Sequence, residues 1–106
     1  MLDKSEVKNI ALDFSNNVLQ VLNPVSVMLF GSYVNGEPNE LSDVDIAVIM
    51  NDFNGNWLET SAMLYALKRK TSLYIEPHLL DEANDRSGFV EHVKKTGEII
   101  YEAKSG

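Results

Sequence analysis

Two short apolar runs on either side of a polar loop constrain this chain most. Residues 25–30 read VSVMLF and residues 44–50 read VDIAVIM, and turn-forming residues follow each run, Gly31 after the first and Asn51-Asp52 after the second. Runs of this length, bounded in this way, are typical of buried strands. The sequence therefore predicts two core strands joined by a loop.

The other segments alternate between helical and strand patterns. Apolar residues at three- and four-residue steps predict helices over about 5–22, 57–70 and 86–95, the first covering one face of a sheet, and a third strand is predicted over about 73–80. This alternation predicts an α/β fold with a small mixed β-sheet flanked by helices. A chain of 106 residues is expected to form a single domain over residues 1–106.

Two details refine these elements. Pro77 has no backbone N–H, so the third strand is expected to lie at a sheet edge or to break near that residue. In the helix over 57–70 the helical spacing runs through Leu58, Ala62, Tyr65 and Ala66.

Asp43 and Asp45 stand at the head of the second apolar run. Side chains alternate between the two sides of a strand, so these two carboxylates project to the same side, with alpha carbons roughly 7 Å apart. Unpaired buried carboxylates are costly, and a divalent cation offsets that cost. Magnesium suits oxygen ligands best, so the pair predicts a metal site.

Gly31-Ser32 follows the first strand directly. A glycine lets a ligand approach the backbone closely, and a serine is a common N-cap of a helix. Backbone N–H groups exposed at such a turn bind phosphate. The sequence therefore predicts a combined metal and nucleotide site.

The complete motif is Gly31-Ser32, ten residues, Asp43, one residue and Asp45. It resembles the signature of the DNA polymerase beta-like nucleotidyltransferase superfamily, and the short chain resembles the minimal nucleotidyltransferase branch of MntA-like antitoxins. The resemblance covers nearly the whole chain. Residues 88–102 are similar to the helix and short tail that end many such domains, and a packing role is expected for them.

The resemblance implies specific roles. Asp43 and Asp45 would hold two Mg²⁺ ions, about 4 Å apart in such sites. Glu76 occupies the position of the third acid, which is often Asp, and would complete the metal shell or accept the proton of the attacking hydroxyl. Ser32 and the Gly31 turn would contact the triphosphate of ATP, and pyrophosphate would leave after displacement at the alpha phosphate.

Simpler readings exist for each candidate. Asp43 and Asp45 could be solvated acids at a strand end, and Glu76 a solvated acid on an edge strand. Ser32 could cap a helix without binding a ligand, and Gly31 could serve only the turn. The full motif favours the site.

Several other polar or aromatic residues are assigned ordinary roles. His78 shares a strand face with Glu76, but a surface role is favoured. The cations at the end of the second helix are expected to complement the helix dipole and aid solubility. The aromatic residues are expected to serve packing rather than to stack on bases. The cations are Lys68, Arg69 and Lys70, and the aromatic residues are Trp57, Tyr65, Tyr74 and Tyr101.

Charge and composition restrict the substrate. The formal net charge is −7, which argues against a nucleic-acid polymer, since phosphate backbones are held by clustered cations. Tyr33 and Asn35 stand where the family often has basic residues, which predicts weak nucleotide binding. The chain has no cysteine, no bilayer-length apolar stretch and no signal-peptide pattern, so a soluble cytoplasmic protein is expected.

The resemblance to MntA-like proteins also implies a partner. It predicts transfer of AMP from ATP to a tyrosine of a HEPN-domain toxin, with this chain acting as the antitoxin in a hetero-oligomer. One alternative is an antitoxin that neutralises the HEPN protein by binding alone. Another is an aminoglycoside-type enzyme that modifies small molecules, although such enzymes usually carry a further domain.

Overall fold

The computed structural model describes residues 2–104. Over this range the chain forms four helices, four strands and one 3-10 turn, Glu82–Asn84. The helices and strands, in chain order, are α1 (Lys4–Leu19), β1 (Ser26–Phe30), α2 (Ser32–Asn35), β2 (Val44–Met50), α3 (Trp57–Thr71), β3 (Ile75–Asp81), α4 (Phe89–Thr96) and β4 (Glu98–Glu102).

The four strands form one sheet in the order β3-β2-β1-β4. Strand β1 is antiparallel to both of its neighbours, β2 and β4, whereas β2 and β3 are parallel. The parallel pair is connected through α3, as parallel neighbours require. The predicted α/β fold with a small mixed sheet is confirmed.

Helices cover the two faces of the sheet unequally. Helices α1 and α3 pack on one face through residues that include Phe14 and Leu64. Helix α4 packs on part of the other face, where Val90 and Val93 contact a second apolar cluster that includes Ile49. Helix α4 contacts β1 closely, and the side chains at the start of β2 and β3 on that face are only half-buried.

The bounds of β2 and the edge position of β3 agree with the predictions from the sequence. Strand β2 has the predicted bounds, and β3 lies at a sheet edge, as Pro77 indicated. Strand β3 continues through Pro77 without a break. Helix α1 begins with a capping box formed by Asp3 and Glu6, which accounts for its start at Lys4.

Helices α1 and α4, and the tail after α4, differ from the expectations. Helix α1 ends at Leu19 rather than near residue 22, and Val21 is half-exposed. Helix α4 begins at Phe89 rather than Arg86, because Gly88 adopts a left-handed conformation and acts as the N-cap. The tail expected after this helix is the strand β4, which pairs with β1 across a β-bulge.

The buried side of α3 does not coincide with the residues whose spacing predicted this helix. Leu64 is the buried residue of this helix, while Leu58 is 81% exposed and Tyr65 is 37% exposed. Leu64 packs with Leu67 against the core. None of the helices within residues 2–104 has the length and hydropathy that a membrane-spanning segment requires.

Candidate active site

Three side chains form a row across the less covered face of the sheet. Asp45 pairs with Phe30 of β1 on one side and with Glu76 of β3 on the other. Paired residues on adjacent strands project to the same face. Two of the predicted acids therefore lie next to each other at the start of the parallel pair, beside the turn that follows β1.

Asp45 is held by contacts on both of its carboxylate oxygens. Its Oδ1 lies 3.2 Å from His78 Nε2, within hydrogen-bond distance. The imidazole also packs edge-on against Phe30, with ring centroids 5.0 Å apart. His78 pairs with Ala47 of β2, whose single methyl group leaves room for the ring to reach Asp45.

The second oxygen of Asp45 lies against Gly31. A Cβ added at Gly31 would overlap Oδ2 of Asp45, and Gly31 has φ 83° and ψ −152°. Residues other than glycine rarely adopt this conformation. Gly31 is therefore required both by its backbone and by the close approach of the carboxylate.

The turn after β1 differs in one respect from the expectation. Gly31, rather than Ser32, is the N-cap of α2, and no side chain caps this end. The first hydrogen bonds of α2 run from Val34 N and Asn35 N to the carbonyl oxygen of Gly31. The N–H groups of Ser32 and Tyr33 lie in the first turn of α2, where N–H groups have no acceptor within the helix.

Glu76 is contacted by a residue that the sequence had assigned to packing. Tyr65 Oη on α3 donates a hydrogen bond to Glu76 Oε1, at 2.5 Å. This hydrogen bond is the main reason that the pKa of Tyr65 is raised above its ordinary value, with burial and the charge of Glu76 adding to it. Tyr65 is thus a neutral donor to a carboxylate at physiological pH.

Asp43 lies just before β2 and is exposed. The start of the strand is fixed by Val44 N, which donates to the carbonyl oxygen of Tyr74 at 2.7 Å. The loop before it is organised by Asn39 and Ser42, whose side chains accept hydrogen bonds from nearby backbone N–H groups. Asp43 thus lies between a structured turn and the start of β2.

The donor chemistry of the three acids fits a hard divalent cation such as Mg²⁺. Register brings Asp45 and Glu76 to adjacent strands, with Asp43 two residues upstream of Asp45. Among residues 2–104, no three acidic or histidine side chains are close enough to bind one ion together. Tyr65 engages Oε1 of Glu76, and a carboxylate has a second oxygen that can act as a ligand.

Positive charge near the acids comes from α3. Lys68 Nζ donates to the carbonyl oxygen of Ile75 at 2.8 Å and lies 5.6 Å from the centroid of the Tyr65 ring. Tyr33 packs against the core, and its hydroxyl accepts a hydrogen bond from Leu2 N. Tyr33 thus takes part in packing.

Two other features lie away from this site. Asp81, at the far end of β3, accepts hydrogen bonds that lower its pKa, the strongest contribution coming from Phe53 N–H. A cavity of about 500 Å³ next to it is lined by residues that include Trp57 and Phe89, and by none of the five predicted site residues. This cavity is therefore separate from the candidate site at Asp45 and Glu76.

Sequence reasoning undervalued two residues, His78 and Tyr65. His78 could be found from its position, since it lies two residues after Glu76 on the same strand face. Tyr65 had no such signal, because its contact with Glu76 joins a helix to the edge of a sheet.

Comparison with known proteins indicates a nucleotidyltransferase family. Residues 9–106 match the family described as "Polymerase beta, Nucleotidyltransferase". A search of functionally curated proteins gave no significant match. The fold is similar to the 1.40 Å crystal structure of a candidate nucleotidyltransferase from Sulfolobus solfataricus, with TM-score 0.69 and 20% identity over 94% of this chain and 84% of that one.

Proposed function

This chain belongs to the polymerase beta-type nucleotidyltransferase family, and on that basis we propose that it transfers AMP from ATP to a hydroxyl group of another protein. The family generally uses a nucleoside triphosphate and a divalent metal. We further propose that the chain belongs to the MntA-like branch, that its acceptor is a protein, and that it acts as an antitoxin.

The observation that carries the proposal is the pairing of Asp45 with Glu76 beside the Gly31 turn. Two carboxylates on adjacent strands lie next to a backbone that only glycine can form there. This arrangement supports an acidic group for metal binding next to a surface that a phosphate can approach closely.

Each residue has a defined task in the proposed reaction. Asp43 and Asp45 would hold Mg²⁺, which would neutralise charge on the phosphates and stabilise the leaving pyrophosphate. His78 orients Asp45 through the 3.2 Å contact. Glu76 accepts the proton of the attacking hydroxyl. Gly31 admits the triphosphate to the backbone, and Ser32 contacts it with its hydroxyl and N–H.

We propose that the acceptor is a tyrosine of a HEPN-domain toxin, so that the chain acts as a cytoplasmic antitoxin in a hetero-oligomer. Support comes from the openness of the site: Asp43 is exposed, and Asp45 and Glu76 are only half-buried. A folded protein can therefore bring a side chain to them.

Label transfer tests the proposal. The purified chain, Mg²⁺ and ATP labelled at the alpha phosphate are incubated with a lysate of the source cells, and labelled proteins are separated by mass. We expect a labelled band that is lost in the Asp43→Ala, Asp45→Ala double variant. Asp13→Ala, which removes an exposed acid from α1, is the matched control and should retain the band.

One observation favours a second function, neutralisation of the toxin by binding alone. Asp45 and Glu76 are engaged with His78 and Tyr65, and Tyr33 packs in the core instead of contributing a cation. In that case the Asp43→Ala, Asp45→Ala variant still protects cells that express the HEPN protein. Loss of protection with an intact fold would reject binding alone.

A further inference from the structure

The hydrogen bond from Tyr65 to Glu76 places a nucleophile of this chain at its own general base. Tyr65 Oη lies 2.5 Å from Glu76 Oε1, the carboxylate that accepts the proton of the attacking hydroxyl in the proposed reaction. A general base must be within hydrogen-bond distance of the proton that it removes. Tyr65 meets that requirement, and it is the same type of side chain as the proposed acceptor.

We infer that Tyr65 is itself an acceptor of AMP, so that the protein modifies its own chain. This inference rests on the proposed function. Tyr65 Oη attacks the alpha phosphorus of ATP and forms a new P–O bond, while the bond from that phosphorus to the bridging oxygen breaks. Pyrophosphate leaves with the electron pair, and the phenolic proton passes to Glu76. The product is an AMP–tyrosine phosphodiester.

The surrounding contacts fix Tyr65 at this position. Leu64, the preceding residue, is buried in the core, and Lys68, one turn later, is bonded to the carbonyl of Ile75, the neighbour of Glu76. These contacts attach α3 to the start of β3 on both sides of the tyrosine. The hydroxyl is thereby presented to Glu76 without a conformational search.

Exposure and charge also suit an acceptor. Tyr65 is 37% exposed, so part of this residue is open to a ligand bound at the surface. Glu76 is paired in register with Asp45, which places the base on the strand next to that of the metal-binding acid in the proposed reaction. The ammonium group of Lys68, 5.6 Å from the ring centroid, supplies a positive charge near an incoming phosphate.

The other tyrosines lack this combination. Tyr74 is more exposed, at 51%, but no side-chain acid is bonded to its hydroxyl in the part of the chain that the structure describes. Tyr33 uses its hydroxyl to accept a hydrogen bond from Leu2 N. Tyr74→Phe is therefore the matched control for Tyr65→Phe.

The test is incubation of the full-length protein alone with Mg²⁺ and ATP labelled at the alpha phosphate. Intact mass spectrometry counts AMP groups, and peptide mapping locates them. We expect one AMP on Tyr65, and a first-order rate that is unchanged on dilution, since the donor and acceptor are in one molecule. Glu76→Gln should slow labelling by about 100-fold or more. Circular dichroism verifies the fold of each variant.

The outcomes separate this inference from the proposed function. Labelling that is lost in Tyr65→Phe and retained in Tyr74→Phe supports the inference. An AMP adduct that peptide mapping locates on Tyr65 of the wild-type protein also supports it. A labelled band in the source-cell lysate together with an unlabelled Tyr65 overturns the inference and leaves the proposed function intact. No label on any protein, the chain itself included, overturns both.

Discussion

Substitution of Gly31 by alanine should destabilise the protein through a direct conflict with Asp45. The backbone at Gly31, with φ 83° and ψ −152°, costs a non-glycine residue about 1–3 kcal/mol. The new Cβ would also overlap Oδ2 of Asp45, and moving that carboxylate would break its contact with His78, worth about 1 kcal/mol. Alanine restricts the unfolded chain, which offsets about 0.4–1 kcal/mol.

The expected net effect of Gly31→Ala is a loss of about 1–4 kcal/mol in the free energy of unfolding. Gly88 is the matched control, because it also has a positive φ, 77°, but a Cβ added there meets nothing within 4 Å. Gly88→Ala should cost only about 0.5–1 kcal/mol. Both values are measured by urea unfolding at neutral pH.

A double-mutant cycle isolates the contact with the carboxylate. In an Asp45→Ala background the added methyl group of Gly31→Ala has no carboxylate to displace, so only the backbone cost remains. The two substitutions should therefore be coupled by about 1 kcal/mol or more. The reasoning is refuted if their effects add within about 0.5 kcal/mol, or if Gly31→Ala costs no more than Gly88→Ala.

Three further predictions concern single side chains. His78→Ala should slow AMP transfer about tenfold or more because Asp45 loses its orienting partner, whereas His92→Ala on the exposed side of α4 should not; equal rates for the two would exclude the role of His78. Asp81→Asn should lower the urea midpoint at neutral pH, because the hydrogen bond from Phe53 N–H holds the pKa of Asp81 below its usual range. The carboxylate form stabilises the fold above about pH 4 and this contribution is lost as the pH falls further, so the variant should show a weaker fall in stability with acid; an unchanged pH profile would contradict this. Ser26→Ala should leave the free energy of unfolding unchanged or raise it by up to about 1 kcal/mol, because the buried Ser26 Oγ has no hydrogen-bond partner among residues 2–104; a loss above about 1 kcal/mol would disprove it.

Elements with a strong local pattern were predictable. Strand β2 is an apolar run that ends in turn residues, and its predicted bounds match the structure. The edge position of β3 followed from Pro77, which cannot donate to a neighbouring strand. These signals are local, because they depend on the chemistry of a few consecutive residues.

Strand β4 and the packing face of α3 were not predictable in the same way. Strand β4 has five residues, and its pairing with β1 joins segments far apart in the sequence. Helix α3 carries apolar residues on more than one side, so periodicity did not distinguish the buried Leu64 from the exposed Leu58. In both cases tertiary packing decided between alternatives that local propensity allowed.

The candidate site shows the same division. The motif, within its strand-turn-strand context, predicted Gly31, Asp43 and Asp45 as site residues, and the parallel pairing of β2 and β3 supplies the position of Glu76 relative to Asp45. The contact of Tyr65 with Glu76 depends on how α3 lies along the sheet edge. No spacing rule in the sequence encodes that side-chain geometry.

Nucleotidyl transfer that depends on the paired acids is the central claim, and the most direct measurement is release of pyrophosphate together with transfer of alpha-phosphate label to protein. The account predicts that both occur with Mg²⁺ and ATP, and that both are lost in the Asp43→Ala, Asp45→Ala variant while Asp13→Ala retains them. Label transfer that persists in the folded double variant would contradict the account.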